Sequence, residues 1–104
     1  LRPKLFIQVN IGNEHQKSGI HIQELFEFYN YCKKLDLNII GLMCIPPIND
    51  DSEIFFSRMN YLKNKMNFKE LSMGMSSDYL KALDFNSTYL RIGSQIFGER
   101  EKKL

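Results

Sequence analysis

Apolar side chains follow two different periods along this chain, and the two periods alternate. From Leu5 to Ile11 apolar and polar residues alternate, which is the period of a β-strand with one buried face. From His21 onward apolar residues recur every three or four positions, which is the period of an amphipathic helix. These positions are Ile22, Leu25, Phe26, Tyr29, Cys32 and Leu35. A strand, a loop and a helix are therefore predicted.

The same order repeats through the rest of the chain. Leu37 to Ile45 is a nearly continuous apolar run, typical of a strand covered on both faces, and two prolines end it. Acidic residues then begin a second helix, whose apolar positions are Phe55, Met59, Leu62 and Met66. The remaining predicted elements are a strand from Leu71 to Met75, a helix from Ser76 to about Asp84, a strand from Tyr89 to Gly93, and a short helix beginning at Ser94.

Strands that alternate with helices predict an α/β fold with a parallel sheet. Polar or small residues share one face of the predicted strands, namely Gln8, Asn10, Ser72, Gly74, Ser76, Tyr89, Arg91 and Gly93. In a TIM-type barrel the helices cover the apolar face and the polar face lines the interior. Four such units predict half of an eight-unit (β/α) barrel. A small doubly wound sheet is the alternative.

Composition and charge narrow the class of protein. A chain of 104 residues that is 43% apolar and 25% charged is predicted to be one globular unit, so residues 1–104 form a single partial domain. The net charge of +2 gives no reason to expect nucleic acid as a partner. Without a long apolar run or a signal peptide, a cytoplasmic protein that does not enter membranes is expected.

Cys32 and Cys44, which lack CxxC spacing, are predicted to be buried free thiols. Because the chain starts at Leu1 without methionine and reaches a strand within a few residues, we expect a piece of a longer protein.

Candidate chemistry lies at two junctions where a strand ends in small residues and a helix is predicted to begin. The junctions are Leu71 to Asp78 and Tyr89 to Gly98. Free backbone N–H groups and the helix dipole at such junctions favour an anion such as phosphate. No His, Cys, Asp or Glu residues have the spacing of a metal site.

Five segments, in order along nearly the whole chain, resemble the pyridoxal phosphate homeostasis protein family, whose barrel is related to the N-terminal domain of alanine racemase. The segments are Gln8 to Ile11, Lys17 to Ile20, Gly41 to Pro46, Leu71 to Asp78 and Arg91 to Gly98. The resemblance implies the C-terminal half of a barrel that binds pyridoxal 5′-phosphate at the carboxyl ends of its strands. It implies a role in vitamin B6 cofactor homeostasis without catalysis. A racemase-like enzyme or another phosphate-ester enzyme on a TIM barrel is the alternative.

The resemblance also implies a role for individual residues. Ser76 would bind the phosphate, together with the backbone N–H groups of Gly93 and Ser94 and the Ser94 hydroxyl. Arg91 would approach the pyridine ring and keep its nitrogen unprotonated, and Lys17 would lie near the cofactor. The family's Schiff-base lysine lies on an early strand that no lysine here matches. We therefore expect that lysine to be absent from this chain and no catalytic residue to be present. The expected partners are the cofactor and either the missing N-terminal half of the barrel or a second copy of this chain.

Each assignment has a simpler structural alternative. Ser76 could be the N-cap of the third helix, and Arg91 could be a structural ion-pair partner. Gly74 and Gly93 could serve close packing of helix on strand. Lys17 could be a solvated loop residue.

Overall fold

Four strands alternate with three helices in the computed structural model, which describes residues 2–15, 18–47 and 51–92. A 3₁₀ turn at Ile22–Glu24 precedes the first helix. The elements are β1 (Leu5–Gln8), α1 (Leu25–Lys34), β2 (Ile39–Met43), α2 (Ser52–Lys65), β3 (Glu70–Met75), α3 (Tyr79–Asp84) and β4 (Tyr89–Arg91).

The four strands form one parallel sheet in the order β1-β2-β3-β4. Each strand therefore lies beside the one that precedes it in the chain. A doubly wound sheet reverses its direction at a switch point, and this strand order contains no reversal. The predicted α/β fold with a parallel sheet is confirmed, and the doubly wound alternative does not fit.

One apolar core joins the three helices to a single face of the sheet. The strands contribute the positions that the alternating pattern predicts, among them Ile7, Val9, Leu42, Leu71 and Met73, each at most 3% exposed. The helices contribute Leu25 and Cys32, Phe56 and Met59, and Ala82. Because all three helices pack on this face, none of them covers the opposite face of the sheet.

That opposite face is concave. Parallel strands lie about 4.8 Å apart, so side chains that stand upright on the two edge strands of a flat four-stranded sheet would be about 14 Å apart. The ring centroids of Phe6 on β1 and Tyr89 on β4 lie 5.0 Å apart, in an edge-to-face arrangement. The sheet therefore curves strongly, and Phe6 meets Tyr89 across the hollow.

The three α-helices in the described residues all end in the same way. Asp36, Asn67 and Asn86 each have a positive φ angle, at 59°, 63° and 69°. In each case the N–H of the residue after the left-handed one donates to the carbonyl oxygen of the residue five positions earlier in the chain. The Phe68 N–H, for example, donates to the Lys63 carbonyl oxygen at 3.0 Å. This is the Schellman motif, in which Asn or Asp takes the left-handed position. The following strand begins three residues after each left-handed residue, so the three helix-to-strand connections have the same length and the same helix-end geometry.

Hydroxyl groups supplement the short pairing between β3 and β4. The Ser87 hydroxyl donates to the carbonyl oxygen of Met73 at 2.6 Å and accepts the Met73 N–H at 3.3 Å. Thr88 Oγ1 accepts the Leu71 N–H at 2.8 Å, and the Thr88 N–H donates to the Leu71 carbonyl oxygen at 2.8 Å. These bonds fix the start of β4 against β3.

Three expectations about helices and strand ends were wrong. The apolar stripe of α1 is narrower than predicted, with Ile22, Phe26 and Leu35 exposed, because the helix touches the sheet along less of its surface than the periodic pattern covers. The third helix begins at Tyr79 and not at Ser76, since residues 76–78 form a turn. The first strand ends at Gln8 and not at Ile11, and the second runs from Ile39 to Met43 and not from Leu37 to Ile45. The predicted helix at Ser94 and the strand end at Gly93 lie outside the described residues.

Gly74 also departs from the alternation. Its φ angle is +105°, and the pairing of β3 with β4 shifts register between Ser72 and Met75. A Cβ atom on Gly74 would lie 2.7 Å from the Cβ of Ala82, so this glycine faces α3 and not the polar side of the sheet. Close packing of helix on strand is therefore the role that the structure supports for Gly74.

Both cysteines are free and buried, as predicted. Burial raises the pKa of the Cys44 thiol from 9.0 to about 12, while the Arg91 guanidinium lowers this pKa and the Asp78 carboxylate raises it by smaller amounts. The folded protein therefore keeps the Cys44 proton under conditions in which the unfolded chain releases it.

We expect the free energy of unfolding to fall as the pH rises from 9.0 to about 12, because only the unfolded chain loses the Cys44 proton in this window. The slope that Cys44 adds is about 1.4 kcal/mol per pH unit. Urea unfolding of the wild type and of Cys44→Ala, compared across this window, isolates the slope from other titrating groups. Parallel pH profiles for the two proteins would contradict the buried, protonated thiol.

Asn67→Val should lower the free energy of unfolding by about 1–2 kcal/mol, because a β-branched residue is strained at a positive φ angle. Asn67→Gly should leave the stability unchanged or raise it slightly. Asn64→Val is the matched control, because Asn64 is an exposed position inside α2. Urea unfolding measures all three, and an equal loss at positions 64 and 67 would argue against the Schellman motif.

Candidate functional site

The carboxyl ends of β3 and β4 bring two of the predicted site residues to one edge of the sheet. Met75, the last residue of β3, pairs in register with Arg91, the last residue of β4. Ser76 directly follows Met75 and is half-buried. Ser76 and Arg91 are therefore neighbours at the edge where parallel sheets bind ligands.

The turn after β3 has a defined shape. Asp78 Oδ1 accepts the Met75 N–H at 2.8 Å, and the Asp78 N–H donates back to the Met75 carbonyl oxygen at 3.1 Å. Asp78, and not Ser76, occupies the N-cap position of α3. The interpretation of Ser76 as a helix N-cap is therefore wrong, and Ser76 lies in a tight turn that precedes the helix.

Arg91 is held by two neighbouring strands. Its Nη1 donates to Ser72 Oγ at 2.6 Å, and its Nη2 donates to the carbonyl oxygen of Cys44 at 2.8 Å. Its Nε is buried and has no hydrogen-bond partner among the described residues. A buried donor without an acceptor is costly, so this N–H is suited to a ligand that brings one.

The positive charge of Arg91 has no counter-ion in the part of the chain that the structure describes. No carboxylate there forms an ion pair with it, and the ion pair found in these ranges joins Arg2 to Asp36 on the surface. A structural ion pair therefore does not account for Arg91 within the described residues. A guanidinium with two neutral acceptors keeps its full charge, which favours an anionic or electron-rich ligand.

The loop after β1 is shaped by a buried amide. Asn10 is 6% exposed, its Nδ2 donates to the Glu14 carbonyl oxygen at 2.6 Å, and its Oδ1 accepts the Glu14 N–H at 3.0 Å. Lys17 belongs to this loop, but Lys17, Gly93 and Ser94 lie outside the described residues. Their predicted contacts with a cofactor remain predictions.

Sequence analysis missed one polar residue that contacts Arg91. Ser72 was placed on the polar face of its strand but was given no role. The signal for Ser72 was its alternation with two buried core residues, Leu71 and Met73, which turns its hydroxyl to the concave face. Its contact with Arg91 joins residues 19 positions apart, which local spacing does not reveal.

A cleft of about 280 Å³ opens at the same edge of the sheet. It is lined by Ile45, Pro46, Pro47, Ser52, Met75, Ser77, Asp78 and Lys81. A larger groove of about 550 Å³ lies between α1 and α2 and contains none of the predicted site residues. Neither cavity is lined by a described residue of the predicted site, but the smaller cleft adjoins the candidate site because Met75 and Ser77, which line it, flank Ser76.

Residues 2–15, 18–47 and 51–92 hold no group of three or more His, Cys, Asp or Glu side chains placed to bind a metal ion. None of their helices has the length and apolar character needed to cross a membrane.

Curated proteins match this chain over almost its whole length, although no family model matches it. It is 34% identical over 107 residues to the pyridoxal phosphate homeostasis protein of Aquifex aeolicus, covering 93% of this chain and 47% of that protein. It is 35% identical over 114 residues to the human protein of the same name, covering 96% and 42%. It is 40% identical over 111 residues to that of Vibrio alginolyticus, covering 97% and 48%. The chain thus spans about half the length of these relatives.

Solved structures also match nearly the whole of this chain. PipY of Synechococcus elongatus without pyridoxal phosphate superposes with a TM-score of 0.79 at 29% identity, over 93% of this chain and 50% of PipY. PipY with pyridoxal phosphate bound gives 0.74 at 28% identity, with the same coverage. A protein of unknown function from Bifidobacterium adolescentis gives 0.80 at 27% identity, over 93% of this chain and 44% of the other. The resemblance that the sequence motifs indicate is confirmed: at about 35% identity, nearly the whole chain matches proteins of the pyridoxal phosphate homeostasis family.

Proposed function

We propose that this chain is the C-terminal half of an eight-unit (β/α) barrel of the TIM type. Three observations support the proposal: the strand order runs in one direction, the sheet is concave across the contact of Phe6 with Tyr89, and the chain spans about half of its relatives. Eight parallel strands close such a barrel, and its polar functional residues lie at the carboxyl ends of the strands. Arg91 and Ser76 lie at those ends.

The exposed flank of α1 supports a further helix beside it. Ile22, Phe26 and Lys33 of this region line the groove toward α2. By the helical period, the opposite flank carries Phe28, Tyr31 and Leu35, which are 38%, 58% and 53% exposed. We propose that the rest of the barrel covers this flank and pairs with the outer edge of β1. A second copy of this chain is the alternative partner for the same edge.

We further propose that the barrel binds pyridoxal 5′-phosphate at the edge that carries Ser76 and Arg91. The observation that carries this proposal is the likeness of nearly the whole chain to PipY, whose structure with pyridoxal phosphate bound matches 93% of it. Ser76 would hold the phosphate together with Gly93 and Ser94, and Lys17 would contribute from the loop after β1. No lysine of this chain is assigned to the covalent bond with the cofactor.

The described residues fit such a ligand. Arg91 brings an unneutralised charge and a buried Nε that needs an acceptor, and an unprotonated pyridine nitrogen is an acceptor. When bound, the cofactor supplies a reactive aldehyde and an aromatic ring that withdraws electrons most strongly when its nitrogen is protonated. Arg91 opposes that protonation, because a second positive charge beside a guanidinium is unfavourable.

We therefore propose that the protein stores or delivers the cofactor and does not catalyse a reaction with it. The names of the relatives, which describe homeostasis, support this choice over a catalytic role. A cytoplasmic location is proposed on the same basis, and two free buried cysteines are compatible with a reducing compartment.

Cofactor binding can be tested on the full-length protein by adding pyridoxal phosphate, recording the visible absorption, reducing with borohydride and mapping the modified peptide. We expect one modified lysine, located outside residues 1–104. A modified lysine within these residues would contradict the assignment of this half. A protein that takes up no cofactor would contradict the proposed function.

Ser76→Ala and Gly93→Val should each weaken retention of pyridoxal phosphate in the full-length protein. Loss of a hydrogen bond to a charged group costs about 1.5–3 kcal/mol, so Ser76→Ala should raise the dissociation constant about tenfold or more. Gly93→Val should have the larger effect, because a branched side chain would occupy space near the phosphate. Ser57→Ala, at an exposed position on α2, is the matched control. Equal occupancy in all four proteins would refute the phosphate assignment.

A further inference from the structure

The hydrogen bonds that hold Arg91 come from two strands and involve no charged group. Ser72 lies on β3 and is 8% exposed, and Cys44 directly follows β2 and is fully buried. The two acceptors are also fixed to each other, because the Cys44 N–H donates to the Ser72 carbonyl oxygen at 3.2 Å. We call the Ser72 hydroxyl and the Cys44 carbonyl oxygen the arginine seat.

The arginine seat binds both Nη groups of the guanidinium and leaves the Nε–H without a partner among the described residues. Nη1 is bound to Ser72 at 2.6 Å and Nη2 to Cys44 at 2.8 Å. Because a guanidinium is planar, two bonds to separate strands fix the direction of its third nitrogen. That nitrogen, Nε, is buried without a partner among the described residues. The seat therefore sets the direction of the Nε–H, the buried donor of Arg91 that has no acceptor among the described residues.

The absence of a carboxylate from the seat determines its electrostatic effect. A carboxylate at position 72 would hold Arg91 equally well but would cancel its charge. Two titratable groups lie near the seat, because Arg91 and Asp78 both act electrostatically on the pKa of the Cys44 thiol. The Cys44 thiol is uncharged below a pKa of about 12, and the Asp78 carboxylate accepts the Met75 N–H at 2.8 Å and does not pair with Arg91.

We propose that Ser72 is a positioning residue that, with the Cys44 carbonyl, aims Arg91 Nε at the bound ligand and keeps the guanidinium charge unneutralised. The seat then selects heteroaromatic phosphates whose ring nitrogen is an unprotonated acceptor. This inference rests on the proposed binding of pyridoxal phosphate, and it assigns Ser72 a role that the motifs of the resemblance do not include.

The ligand-bound test uses the full-length protein and pyridoxal phosphate, with absorption spectra recorded across a pH range. Ser72→Ala should raise the cofactor's dissociation constant about tenfold while the fold, followed by circular dichroism, is unchanged. Ser72→Asp should shift the pH dependence of the bound cofactor's spectrum upward by one unit or more, because the ring nitrogen becomes easier to protonate. Ser72→Thr keeps the hydroxyl and should restore wild-type behaviour, and Ser57→Ala should behave as the wild type.

A second readout needs no cofactor. The ¹⁵N NMR signal of the Arg91 Nε–H group, assigned by its loss in Arg91→Lys, should shift or broaden in Ser72→Ala and stay in place in Ser72→Thr. An unchanged signal in Ser72→Ala would overturn the seat, and an unchanged spectral pH dependence in Ser72→Asp would overturn its electrostatic role. If the wild type binds no pyridoxal phosphate, the proposed function fails, while the NMR measurement still decides whether Ser72 positions Arg91.

Discussion

All three helices of the described part of the chain pack against one face of the sheet, and this arrangement decides where the site can form. Strands wound in one direction bury their apolar positions under α1, α2 and α3 in a single core. These helices leave the other face of the sheet uncovered, and that face is concave. The contact of Phe6 with Tyr89 closes part of this hollow, and Ser72 and Arg91 meet within it. The site is thus a consequence of how the core is built.

The three repeated units place the strand ends with little variation. Each helix stops at a left-handed Asp or Asn, and each following strand begins three residues later. Regular connections of this kind bring the carboxyl ends of successive strands to the same edge of the sheet. Met75 and Arg91 are then paired in register, which puts the turn at Ser76 beside the arginine.

The order of elements and the core positions of the alternating strands could be predicted from the sequence, because a period of two residues reports which strand side chains are buried. Ile7, Val9 and Ile11 are all buried, as their alternation requires. The start of α3 could not be predicted, because residues 76–78 are compatible with a helix and only the bond from Met75 to Asp78 makes them a turn. The orientation of Gly74 toward α3 and the contact between Ser72 and Arg91 depend on neighbouring elements, which the local pattern does not contain.

In the proposed site, Arg91 keeps its charge and offers its Nε–H to a ligand at the edge of β3 and β4. A crystal structure of the full-length protein with pyridoxal phosphate would test this proposal most directly. We expect a closed barrel whose C-terminal half is this chain, with the cofactor in contact with Ser76 and Arg91 and with Arg91 still bonded to Ser72. A cofactor bound elsewhere, or an Arg91 paired with a carboxylate, would contradict it.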